Sequence, residues 1–187
     1  MNTVSAQLAQ HFSAFSYAKL PDASKRSLKR LLLDYLGVTI AGSQSDSGTI
    51  ARTFAKLDGG KAQATIIGEG TRTTAAQAAF ANGISAHSLE LDDIDVLAYF
   101  HFSPPVYSAA LAAGEMQAAN GKQLLVALAA GCEMMERVSR ASNPSLRDRN
   151  YHTTAACGVF GATIAAGLLW KIPPVKLVSA FGLAGAQ

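Results

Sequence analysis

Charge is scarce in this 187-residue sequence: 16% of its residues are Asp, Glu, Lys or Arg, against 49% that are hydrophobic. That balance excludes the disordered class, which combines low hydrophobicity with high net charge. The length suits one domain with a real core. So little charge fits a domain that covers part of its exterior with a partner or a second domain. It equally fits an Ala-rich helical domain standing alone.

Cysteine is scarce too. Cys132 and Cys157 are far apart and form no CxxC, so both read as reduced, buried, small hydrophobes of a cytoplasmic protein. The opening MNTVSAQLAQHF has no basic stretch followed by an apolar run, which argues against a secretory leader. One uncharged run, TTAACGVFGATIAAGLLW at 153–170, approaches the minimum for a membrane span. It is built from Ala, Gly and Thr, however, and reads as a buried, closely packed helix. The net charge of +3 comes from dispersed basic residues without interleaved aromatics, so no stacking platform for nucleic acid is present. GxGxxG, P-loop, GxSxG and HExxH patterns are all absent, which argues against a nucleotide site, a serine nucleophile and a zinc-protease site.

What is there is mostly helical. Pro21 suits a first helical turn, and Leu28, Leu31, Leu32, Tyr35 and Leu36 then fall on one face, with Gly42 and Ser43 at the end. A short helix is predicted over 48–57, a turn at DGGK (58–61) and a short strand at ATIIG (64–68). An Ala-rich helix runs from Thr73 to about Leu91. Ser103 as N-cap and Pro104 as first helical residue predict another, to about Ala119. Asn120 caps the next helix, 143–151 reads as a polar loop, 153–170 as a helix, and Pro173 opens a last helix in which the chain stops. The fold class is therefore all-α: a bundle of about seven to eight helices with at most one short β element.

Chemistry concentrates in LELDDIDVLAYFHFSPP, residues 89–105, which holds four of the 13 acidic residues. A helix reaching Leu91 places His87 and Glu90 on one face. Asp92 and Asp93 then oppose the helix dipole at its C-terminus, at a cost of about 0.3–1 kcal/mol each. Charge alone fits a solvated loop. The alternation with Leu89, Leu91 and Ile94 instead predicts that part of the segment is buried. The aromatic and apolar residues around His101 suit a pocket wall. His101 stands just before the Ser103–Pro104 helix start, where exposed N–H groups favour a carboxylate ligand. A histidine with carboxylates can supply both base and acid for proton abstraction beside a carboxylate and loss of a hydroxyl. His152 starts the next helix near Arg147 and Arg149, either as an N-cap or as a second contact for an anionic substrate. His11 reads as structural. His87, Glu90, Asp92, Asp93 and His101 are metal-ligand types, but their spacing matches no metal motif and no metal is expected.

Several stretches together carry a family likeness. LPDASKRSLKRLLLDYLGVTIAGS, ATIIGEG, AAFANGISAHSLELDD, HFSPPVYSAALAAGE and NYHTTAACGVFGATIAAGLL occur in that order. They resemble, over essentially the whole chain, the N-terminal helical part of the MmgE/PrpD family. The resemblance implies one all-α domain over 1–187, a homodimer, no redox cofactor, and lyase chemistry on di- or tricarboxylates. The first expectation is dehydration of 2-methylcitrate, a step of propionate metabolism; decarboxylation of cis-aconitate or an isomerisation is the alternative. The small acid is the expected partner, with no nucleic acid and no membrane. Carried over, the family's histidines fall on His101 and His152, and its acidic cluster on Glu90, Asp92 and Asp93. His101, Asp93, Glu90 and His152 are read as catalytic, and Asp92, Arg149 and His87 as substrate-binding. Departures are visible. Glu90-Leu91-Asp92-Asp93-Ile94 stands where Asp-aromatic-Asp-Asp-Thr is usual, Phe102 and Thr153 stand for prolines, and Asn150 stands for a glycine. Family members are about twice this long or more. The chain is thus expected to be the front part of a lyase, or a catalytically incomplete dimerising remnant.

Overall fold

The computed structural model describes residues 3–187. Met1 and Asn2, on which the leader-free reading of the N-terminus begins, lie outside the described residues. Among the described residues, nine α-helices, one 3₁₀ turn, one π-helical turn and a two-stranded sheet make up the regular structure. The all-α expectation holds, and the β element is as small as predicted.

Local signals set most of the boundaries. In α1 (Val4–Ser13) the Thr3 hydroxyl caps the first turn by accepting from the Ala6 N–H at 3.2 Å. Pro21 stands at the N-cap of α2 (Asp22–Gly42), which buries Leu28, Tyr35 and Thr39 along the predicted face. Ser45 caps α3 (Asp46–Asp58), and Gly59 and Gly60 turn the chain at positive φ. Strands β1 (Ala64–Thr65) and β2 (Arg72–Thr73) pair antiparallel, Ala64 opposite Thr73. Thr74 caps α4 (Ala75–His87). This helix ends at His87 rather than near Leu91, because Glu90 turns left-handed at φ 53°.

A π-helical turn (Ser103–Tyr107) leads into α5 (Ser108–Met116). Asn120 and Gln123 form a reciprocal capping box at the start of α6 (Gly121–Ser142), the arrangement that satisfies two orphan donors at once. The stretch read as a polar loop contains one helical turn, α7 (Ser145–Asp148). Helix α8 (Thr153–Leu169) starts at His152, and α9 (Pro174–Ala184) starts at Pro173 as predicted. Helix α9 ends at Ala184, so the last residues lie outside it, against the expectation.

Helices α6 and α8 form the most extensive pair of the fold. Their close approach depends on glycine: a Cβ on Gly161 would stand 2.7 Å from the Gly131 carbonyl oxygen. The main core gathers Tyr35, Phe100, Tyr107, Leu128, Met135 and Cys157. It therefore takes in the segment that leads from α4 to α5. A second cluster joins Phe12, Met134, Ile164, Leu177 and Phe181 from α1, α6, α8 and α9. The Tyr35 hydroxyl lies 2.8 Å from the Ser108 hydroxyl, and burial pushes its pKa up to about 12. The uncharged run in α8 is a buried helix of this core, and no described helix is long and apolar enough to cross a membrane.

Candidate functional site

The segment between His87 and Ser103 is nearly without regular structure, and its acids replace the missing backbone partners. Asp95 Oδ1 accepts from the N–H groups of Leu97 (2.8 Å) and Ala98 (2.9 Å), and the Asp95 and Phe100 backbones close the turn. Asp93 accepts from the Phe102 N–H at 3.0 Å and the Ser103 N–H at 3.1 Å. It thereby supplies the cap expected of Ser103, whose own hydroxyl is buried without a hydrogen-bond partner. Two anchors hold the segment against the bundle. The Ala98 carbonyl accepts from Ser139 and Asn143, and the His101 N–H donates to Thr154 Oγ1 in the first turn of α8 at 3.1 Å.

Side chains sort here against the sequence expectation. Leu91, Ile94, Val96 and Leu97 are exposed, whereas the Asp92 carboxylate is sealed from solvent. Alternation with apolar residues did signal partial burial, but the buried member of the pattern is the acid. Its partners explain this. His87 Nδ1 lies 3.0 and 3.1 Å from the two Asp92 oxygens, and His101 Nδ1 lies 3.2 Å from Oδ2. A buried carboxylate without such partners would cost several kcal/mol, roughly what desolvation of one ion takes.

Two imidazoles, His87 and His101, contact Asp92, and a third, His152, borders His87. The His87 ring meets the His101 ring edge-on at 4.8 Å between centroids, and His152 lies 6.0 Å from His87. Glu90 Oε1 stands 3.4 Å from His87 Nε2, at the exposed side. His87 is thus the hub of the cluster rather than a peripheral contact. Asp92, predicted to bind substrate, faces the two imidazoles instead of solvent. Asp93, read as catalytic, holds backbone N–H groups, and it is Asp92 that reaches the His101 ring. His152 is an N-cap, its Nδ1 accepting from the Ala155 N–H at 3.4 Å, while its ring still borders the cluster. Arg149 lies over the Tyr151 ring at 6.0 Å and Arg147 over Tyr99 at 4.2 Å, with no contact to the cluster. His11 lies away from it, 3.2 Å from Glu133.

The same donors could hold one cation: single ligand atoms of His87, Asp92 and His101 lie within 4.8 Å of one another. Neither cysteine offers a reactive thiolate, since burial pushes both thiols up. A cavity of about 750 Å³ between α1, the start of α2 and α6 is lined by none of the cluster residues. With the His87 and His101 side chains 25% and 16% exposed, the cluster reaches the surface as a wall.

Comparison with known proteins bears on what such a wall does. Residues 6–187 match the MmgE/PrpD N-terminal domain. A cis-aconitate decarboxylase-like protein of Aspergillus oryzae is 28% identical over 195 residues, covering 98% of this chain and 40% of that protein. The cis-aconitate decarboxylases of Homo sapiens and Mus musculus are 24% and 26% identical, each over 98% of this chain and 39% of the relative. The chain spans about two fifths of the length of the curated relatives it matches.

Proposed function

The chain belongs to the MmgE/PrpD family, and from that premise and the histidine cluster we propose that it is the proton-handling part of a lyase acting on di- or tricarboxylic acids. The carrying observation is the sealed Asp92 carboxylate held by His87 and His101, with the His152 ring beside His87. In a dehydration, His101 accepts the proton from the carbon beside a carboxylate. The C–H electron pair becomes the double bond as the C–O bond breaks, and the hydroxyl leaves as water with a proton from an acid. Histidines at the surface of the cluster can serve both ends of that transfer, worth about 10²–10⁴ in rate. Glu90 and His152 sit at the rim, where a charged substrate would meet them.

A second reading is favoured by the names of the relatives, which are cis-aconitate decarboxylases or like them. There a C–C bond breaks, carbon dioxide leaves, and the electron pair left on carbon takes a proton from the same cluster. A third is a dimerising domain without turnover. One experiment separates all three. The chain is incubated with 2-methylcitrate, citrate and cis-aconitate, with the unsaturated product read by absorbance and carbon dioxide release read separately. Proton handling by His101 predicts that His101→Ala lowers turnover by about 10²-fold or more with the circular dichroism unchanged. Near-normal activity of His101→Ala sinks the proposal, and a wild-type chain inert towards all three acids supports the domain without turnover.

A further inference from the structure

The partners of the two outer histidines are opposite in kind, and that difference fixes which ring nitrogen carries the proton. In a neutral imidazole one nitrogen donates and the other accepts, and the partner of one nitrogen decides the role of the other. His101 Nδ1 is sealed from solvent without a hydrogen-bond partner among the described residues, and Asp92 Oδ2 lies 3.2 Å from it. The carboxylate lies off the ring N–H direction, so the contact is an ion-pair distance rather than a well-formed hydrogen bond. Electrostatics still selects the tautomer. A bare Nδ1 would set a lone pair against a sealed carboxylate, whereas an Nδ1–H is attracted to it. His101 Nε2 is then the bare nitrogen, and no described hydrogen bond occupies it. At His152 the order is reversed. The Ala155 N–H points at Nδ1, so Nδ1 must be the acceptor and the proton must sit on Nε2.

We propose that Asp92 is a positioning residue, and that it and the first turn of α8 hold His101 and His152 in opposite tautomers. His101 presents a lone pair at Nε2 as proton acceptor. His152 presents Nε2–H to an anionic carboxylate or a departing oxygen. His87 completes the arrangement. Its Nδ1 meets both oxygens of Asp92 and its Nε2 meets Glu90, so both of its nitrogens are engaged by carboxylates. His87 therefore braces Asp92 instead of offering a third base. The substrate roles rest on the lyase reading above; the tautomers do not.

The test is the ¹⁵N chemical shift of each imidazole in the full 187-residue chain, labelled in histidine and held at about pH 8, above the ordinary imidazole range. Proton-bearing and bare nitrogens are distinguished directly, without any turnover. The expected spectrum shows Nδ1–H for His101 and Nε2–H for His152. In Asp92→Asn the His101 Nδ1–H signal is lost to a mixture dominated by Nε2–H, while the His152 and His11 signals stay in place as the fold control. A wild-type His101 bare at Nδ1 overturns the proposal, as does an Asp92→Asn spectrum with His101 unchanged. Stoichiometric retention of a divalent cation, with both Nδ1 atoms of His87 and His101 freed by a chelator, overturns it too. If Asp92→Asn fails to fold, the wild-type tautomers decide. Opposite tautomers without turnover leave this inference standing and remove only the lyase reading.

Discussion

Where α6 lies along α8, Leu128, Met135 and Ile164 are buried and Arg137 and Arg140 face water. Between α4 and the π-helical turn, Leu91, Ile94, Val96 and Leu97 face water and a carboxylate is sealed inside. The two regions meet, since the first turn of α8 accepts the His101 N–H. One obeys the ordinary sorting by hydrophobicity and the other reverses it. The reversed region has no regular secondary structure to satisfy its backbone, and three of its acids are committed to that work or to the imidazoles. The helix pair is built for contact, whereas the segment is built to hold charge in place.

The comparison breaks most decisively at Gly161. An alanine there places its Cβ 2.7 Å from the Gly131 carbonyl oxygen and 2.8 Å from Val106, so backbone must move. Overpacking of this kind in a closely packed core costs about 3 kcal/mol. Gly161→Ala is therefore expected to lower the urea midpoint sharply. A midpoint within error of wild type would show that the pair tolerates separation and does not set the frame for the segment.

Asp93 comes next. Its two oxygens serve the Phe102 and Ser103 N–H groups, and no other partner is recorded for either. Asp93→Ala leaves both unsatisfied at the start of the π-helical turn, a loss of about 2 kcal/mol. Asp93→Asn keeps one carbonyl oxygen and loses roughly half as much. Equal stability of Asp93→Ala and wild type in urea unfolding would assign Asp93 a purely chemical role.

These two sites also mark what the sequence could and could not reveal. Pro21, Asn120 and Pro173 announce their helices because a cap is a local device, read from one or two residues. The small residues of α8 likewise announce close packing. Ser103 misled, because the acceptor for its turn comes from Asp93, ten residues earlier, through a fold of the chain that no local pattern encodes. The helix end at His87 was lost for a similar reason. Glu90 adopts a left-handed conformation that carries no sequence signal in a residue other than Gly or Asn. The site residues were legible as a group. Their roles were not, because Asp92 and Asp93 are adjacent in sequence yet face different partners. Only the three-dimensional path separates an acid that holds backbone from one that holds imidazoles.

The smallest effect is the sharpest test of the inverted sorting. Leu91, Ile94 and Leu97 are 63%, 61% and 71% exposed. Apolar stabilisation scales with area removed from water, and these side chains give up little of theirs on folding. Replacing each by serine should therefore change the unfolding free energy by less than about 0.5 kcal/mol, as for ordinary surface positions. Leu128→Ser in the helix pair, by contrast, removes a fully buried side chain and leaves a hydroxyl in its cavity, at a cost of about 3 kcal/mol or more. Urea unfolding of the three serine variants and of Leu128→Ser, under one set of conditions, measures the contrast. A loss above about 1 kcal/mol at Leu97 would mean that the segment folds its apolar side chains inward after all. Asp92 would then be sealed by ordinary hydrophobic packing, and its two histidines would no longer be needed to explain why a carboxylate is buried there.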